Sequence, residues 1–142
     1  MTPPPKWYEL AVRELGVKAT SPDNPVVMRY YADAGHPEVE HDSLSWCAAF
    51  VGAMLRRANV QPSGSLMARS YLNWGKKLSS PRVGCVVVCA RNEVNADESI
   101  LGHVFFFAGS PHMGLGGNQT GHMVCIEPYA EARVLGFRWP HE

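Results

Sequence analysis

Of the residues in this 142-residue chain that could carry chemistry, Cys47 stands apart, set at the start of the amphipathic stretch Ser45-Trp46-Cys47-Ala48-Ala49-Phe50-Val51. The thiolate is the reactive form of cysteine, and a helix N-terminus favours it through unpaired N–H groups and partial positive charge. Much later, Gly102-His103-Val104 opens an apolar strand and places a histidine on a rigid, partly shielded element. A general base needs both properties, so that its pKa stays near neutral and its ring holds one orientation. Together the two side chains are the equipment for attack on an amide carbonyl through an acyl-enzyme. Each also has a plain structural reading: Cys47 as a small core residue beside Ala48, Ala49 and Phe50, and His103 as filling at a sheet edge.

A catalytic imidazole is usually oriented by a side-chain acceptor on a neighbouring strand. Gly116-Gly117-Asn118-Gln119 follows the His103 strand after a short turn, so Asn118 or Gln119 is placed to reach the ring nitrogen facing away from Cys47. Gly-Gly-Asn is equally simple turn chemistry. His122, in Gly121-His122-Met123, repeats the histidine pattern and is the rival base. The other four histidines, His36, His41, His112 and His141, lie in polar or terminal segments, and a His36–His41 metal site has no third ligand in view. One oxyanion donor is expected from the Cys47 backbone N–H, with no second donor identifiable. Asp42, Ser43 and Ser45 read as helix caps.

Cys85, Cys89 and Cys125 sit among Val and Ile in strand-like runs, where a small apolar residue suits a sheet. Cys85 and Cys89 on one strand would be about 13 Å apart, too far for a disulfide or a shared zinc. No C-x-x-C or H-E-x-x-H spacing occurs, so no metal or other cofactor is expected.

Helical spacing predicts a first helix from Trp7 to Leu15, stopped by Gly16, and a second from Pro25 to Ala34 with Asn24 as N-cap. A third, capped by Ser43 or Ser45, runs to about Ala58 with Cys47 in its first turn, and a fourth covers Ser65 to Trp74. After Pro81 the pattern turns strand-like, over 85–89, 103–107, 123–126 and 134–137, with 113–115 as a possible fifth strand. Helices first and strands second, without alternation, predict an α+β fold with an antiparallel sheet.

The length suits one domain over 1–142, with the proline-rich residues 1–6 as an extended arm. Thirteen basic residues balance thirteen acidic ones, which disfavours nucleic acid as a partner. The N-terminus does not read as a secretory signal and the apolar run 104–108 is too short to span a bilayer. The expectation is a soluble monomer made in the cytoplasm without membrane insertion.

Trp46-Cys47-Ala48-Ala49-Phe50-Val51, Ala68-Arg69-Ser70-Tyr71-Leu72-Asn73-Trp74-Gly75, Gly102-His103-Val104, Gly116-Gly117-Asn118-Gln119 and Leu135-Gly136-Phe137-Arg138-Trp139-Pro140, in that order, resemble the NlpC-like and CHAP group of papain-like cysteine peptidases. The likeness is to a compact prophage branch and runs from about Trp7 to Pro140. It implies a papain-like fold, with N-terminal helices on a C-terminal antiparallel sheet, and hydrolysis of amide bonds in peptidoglycan stem peptides or cross-links. Carried over by residue, Cys47 is the nucleophile, His103 the base and Asn118 the orienting residue. The chain departs from the pattern at Gly84-Cys85, where relatives have Gly-Asp, and at Phe105, where they carry a small residue; Phe105 bears on the width of the cleft. The resemblance further implies an endolysin acting on the periplasmic wall after holin-dependent release. The alternatives are a secreted antibacterial effector paired with an immunity protein, an acyltransferase of the same chemistry, and a non-catalytic binding or structural module.

Overall fold

Asn24 starts the second helix as its type and position require: Oδ1 accepts hydrogen bonds from the N–H of Val26 at 3.0 Å and of Val27 at 3.4 Å, and Pro25 takes the first helical position. The computed structural model describes residues 3–20, 23–41, 45–91 and 102–141. Within them three α-helices come first, α1 (Lys6–Val12), α2 (Pro25–Asp33) and α3 (Cys47–Arg57). Every residue of α3 from Cys47 to Leu55 is buried, as expected of a helix apolar on all sides and packed between other elements. Its last turn carries Arg56 and Arg57, cations that suit the negative end of the helix dipole.

The helix expected over Ser65–Trp74 is instead a 3-10 segment, Ala68–Asn73. Serine hydroxyls explain the difference, because they compete locally with helical hydrogen bonding. Ser65 Oγ accepts from the N–H of Met67 at 3.0 Å, and the Ser63 and Ser70 hydroxyls bond each other at 2.6 Å.

Six strands form one antiparallel sheet: β1 (Lys76–Leu78), β2 (Val86–Ala90), β3 (Gly102–Gly109), β4 (Met113–Gln119), β5 (Met123–Pro128) and β6 (Val134–Trp139), in the order β1-β6-β2-β3-β4-β5. The fold is therefore α+β with helices preceding an antiparallel sheet. β1 was not among the expected strands; it is three residues long, with two exposed lysines and no alternating pattern to reveal it.

Strand alternation gives β3 two distinct faces. Phe106 meets Phe50 of α3 edge-on at 6.4 Å, while Phe105 points to the opposite face against Tyr129 at 5.1 Å, with His103 beside it. The glycines of β4 make both contacts possible. A Cβ on Gly116 would lie 2.7 Å from Cβ of Phe105, and one on Gly117 would lie 2.6 Å from the Trp46 ring and 2.8 Å from Cβ of Phe50. β4 is thus a thin partition between α3 and the His103 face, and the bulk of Phe105 occupies room left by glycine.

Candidate active site

The β3–β4 ladder includes Phe107↔Gly114 and Phe106↔Leu115 and extends no further toward the start of β3. The unzipped end leaves an opening beside Val104, and Cys47, the first residue of α3, sits at it. The Cys47 thiol accepts a hydrogen bond from the Val104 backbone N–H and is hydrogen-bonded to His103. The Ser45 hydroxyl donates to the same sulfur at 3.6 Å. A thiol from the helical side thereby meets an imidazole from the opposite face of the sheet.

Gln119 fixes the imidazole. Its Nε2 donates to the carbonyl of Cys125 at 2.9 Å and of Gly114 at 3.3 Å, which forces Oε1 toward the ring, 3.0 Å from Nε2 of His103. An amide oxygen can only accept, so the ring must donate from Nε2. That leaves Nδ1 as the nitrogen available to Cys47. Gly116 belongs to the same arrangement, because a Cβ there would lie 2.7 Å from Oε1 of Gln119.

Of the two candidates for orienting the ring, Asn118 by resemblance and Gln119 beside it, the structure sets Gln119 against the imidazole. By alternation from Gly114 and Gly116, residue 118 should share the His103 face. A register shift between Gly116 and Gln119, with Asn118 in the left-handed region at φ 56°, moves the pattern by one residue and brings Gln119 onto that face. Asn118 turns instead to the sulfur side, donating from Nδ2 to Ser45 Oγ at 3.2 Å, with its Oδ1 3.3 Å from Nδ1 of His122.

The electrostatics distinguish Cys47 from the other cysteines. Burial works against its ionisation, but the hydrogen bond and charge of His103, the Val104 N–H and the Ser45 hydroxyl together bring the thiol down to about 7. Burial likewise opposes the charged form of His103, yet the Cys47 contact, followed by Gln119 and the Glu127 charge, raises its pKa. The two shifts favour a thiolate–imidazolium pair. Cys85 and Cys89 are pushed up by burial to about 11 and about 12, and Cys125 is also raised, chiefly by burial.

A cavity of about 520 Å³ adjoins the pair, lined among others by Ser45, His103, Phe105, Gln119, Tyr129 and Arg133. Cys47 is 2% exposed and lies behind Ser45 and His103, both of which line that cavity. His122 lines the same cavity, while three other histidines are paired elsewhere: His36 with Glu38 at 3.1 Å, His41 with Asp23 at 3.1 Å and His112 with Glu131 at 3.0 Å. Among the described residues no group of three or more His, Cys, Asp or Glu side chains is placed to hold a metal. Trp74 and Trp139 lie away from the cavity: Trp74 donates to the Gln61 carbonyl, and Trp139 packs on Trp7 beneath Arg82.

Ser45 does not cap α3. The N-cap position belongs to Trp46, with no side-chain cap, and the Ser45 hydroxyl serves the sulfur. Asp42 and Ser43, the other expected caps, lie outside the described residues. The Val104 N–H was invisible to sequence reasoning, because a backbone donor has no residue type to signal it. Glu127, whose charge acts on His103, carries only the weak signal of an acid on β5, one strand beyond β4. Comparison with protein-family models, curated proteins and solved structures gave no match.

Proposed function

We propose that this protein is a cysteine-dependent amide hydrolase of papain-like type that acts on the peptide part of bacterial peptidoglycan. One observation carries the catalytic half of that reading: the continuous chain Cys47–His103–Gln119, with the thiol lowered and the imidazole raised. The order of the elements supports it further, with the nucleophile on the first residue of a helix and the base at the start of a strand. The substrate half rests on the motif resemblance, as does a role in phage lysis rather than in attack by a secreted effector.

In this mechanism the Cys47 thiolate attacks the scissile carbonyl carbon and the carbonyl electron pair moves onto oxygen. The backbone N–H of Cys47, which has no helical acceptor at a helix start, faces that developing charge. Collapse expels the amine, which takes the imidazolium proton of His103, and leaves a thioester. His103 then removes a proton from water as it attacks the thioester, and the acid product departs with Cys47 restored.

The test is digestion of purified peptidoglycan by wild type and by Cys47→Ala, read by mass spectrometry of the soluble fragments. Fragments released only by the wild type, with masses that place one new amine and one new carboxylate, support the reading. Equal release by both proteins contradicts it.

The 2% exposure of Cys47 favours one other reading, a binding module with a buried thiol. Site-resolved alkylation separates the two, since an inert core cysteine does not react in the folded protein.

A further inference from the structure

Ser45, Asn118 and His122 form a second hydrogen-bonded chain that ends on the same sulfur as the first. The mechanism above leaves it without a task. Asn118 Nδ2 donates to Ser45 Oγ at 3.2 Å, so the serine oxygen is used as an acceptor and its own proton is left for the Cys47 sulfur at 3.6 Å. The contact of Asn118 Oδ1 with His122 Nδ1 at 3.3 Å holds the amide the right way round, oxygen toward the histidine and nitrogen toward the serine. Both Asn118 and His122 adopt φ near +56°, a conformation that residues other than glycine rarely take. The bulge that brings Gln119 to the imidazole therefore also brings Asn118 to the serine. Ser45, Asn118 and His122 all line the cavity from which a substrate would approach.

We infer that Ser45 is the second side-chain donor of the active site and that Asn118 is the residue that positions it. This rests on the hydrolase reading above. Before attack the Ser45 O–H bonds the thiolate. As the sulfur bonds to the carbonyl carbon and the electron pair moves to oxygen, the same O–H turns from sulfur to oxyanion without transferring its proton. Ser45 thus supplements the Cys47 N–H, for which the sequence offered no companion. His122, the rival base in the sequence, orients the amide of Asn118 and handles no substrate proton. The ionisable group that acts on the sulfur is His103, with Glu127 acting on His103 from β5, and the Cys47 charge in turn raises the Tyr71 pKa.

The test measures, in the full-length protein, the pH dependence of iodoacetamide alkylation at Cys47, resolved from the other thiols by peptide mass spectrometry, together with kcat and KM on peptidoglycan fragments. Ser45→Ala should move the alkylation midpoint up by about half a unit to one unit. It should also lower kcat about 10²-fold with KM nearly unchanged. Asn118→Ala should produce a smaller change in the same direction, and Ser45→Ala/Asn118→Ala should match Ser45→Ala alone, because the two act along one path. Ser45→Thr keeps the hydroxyl and should restore most of both readouts. Ser45 is exposed and lies outside α3, so its truncation leaves the core untouched. A wild-type midpoint near 7 that Ser45→Ala leaves in place, with kcat unchanged, overturns this inference alone. A wild-type midpoint at or above that of a free thiol removes both the ion pair and the inference.

Discussion

Cys47 at the start of α3 and Cys85 beside β2 are equally hidden, at 2% and 0% exposure, yet their thiols are displaced in opposite directions. At Cys85 burial prevails: the Arg82 and Phe107 backbones and the Arg82 charge favour a thiolate but do not offset its lost hydration, and its pKa climbs to about 11. Cys47 loses the same hydration and falls to about 7, because His103, the Val104 N–H and the Ser45 hydroxyl replace the water with groups that favour negative charge. Burial therefore does not decide the state of a thiol. What decides it is whether the groups aimed at the sulfur outweigh the lost hydration, and at Cys47 the hydrogen bond and charge of His103, added to the Val104 N–H and the Ser45 hydroxyl, do so.

Removing the sulfur or its base should break the contrast most completely. Cys47→Ala should abolish hydrolysis, a loss of about 10⁶-fold, with the melting transition retained. His103→Ala should reduce kcat by about 10³-fold or more and leave Cys47 with desolvation and fewer compensating groups. Its thiol should then titrate above the ordinary thiol value, as Cys85 does, which alkylation as a function of pH would report.

Gln119→Ala tests whether the ring's orientation matters as much as its presence. The variant should lose about 10²-fold in kcat, while Asn118→Asp should leave the His103–Gln119 bond in place. Steady-state kinetics combined with imidazole NMR titration would distinguish the two positions, and equal loss of the His103 shift in both variants would cancel the assignment of Gln119.

Gly116→Ala sharpens the structural side of the comparison. Its methyl group would lie 2.7 Å from both Gln119 Oε1 and Phe105 Cβ, so stability should fall by about 1–3 kcal/mol and activity should fall with the displaced amide. Chemical denaturation and kcat on the same sample would show whether the two losses go together. Least affected should be Cys89→Ala, with a stability change of about 1 kcal/mol and an unaltered Cys47 midpoint, since that thiol is a packing group.

The pair itself was legible in the sequence because helix-start chemistry and strand alternation are local rules, and they located Cys47 and His103 together with the order of helices and strands. Asn24 and Pro25 announced α2 for the same reason. The choice between Asn118 and Gln119 was not legible. It turns on one left-handed residue that shifts the strand register, and neither composition nor spacing encodes that. Ser45 was read as a cap because serine before a helix usually is one; only the approach of β4 reveals its bond to sulfur. Gly116 and Gly117 read equally as turn chemistry, whereas together with Gly114 they line a slot that admits Phe105 on one side and Trp46 on the other.

The pH course follows from the two shifts. Below about 7 the sulfur takes up a proton and the pair is lost. The raised pKa of His103 extends to higher pH the range over which the imidazolium accompanies the thiolate, and once the imidazolium discharges the pair is lost again. The central claim is that Cys47 is an ionised nucleophile at neutral pH, and the most direct measurement is the thiolate ultraviolet absorbance of wild type minus that of Cys47→Ala across this range. The account predicts a difference signal that rises with a midpoint near 7 and moves upward in His103→Ala. A difference signal that appears only above the ordinary thiol pKa, unchanged by His103→Ala, would contradict it.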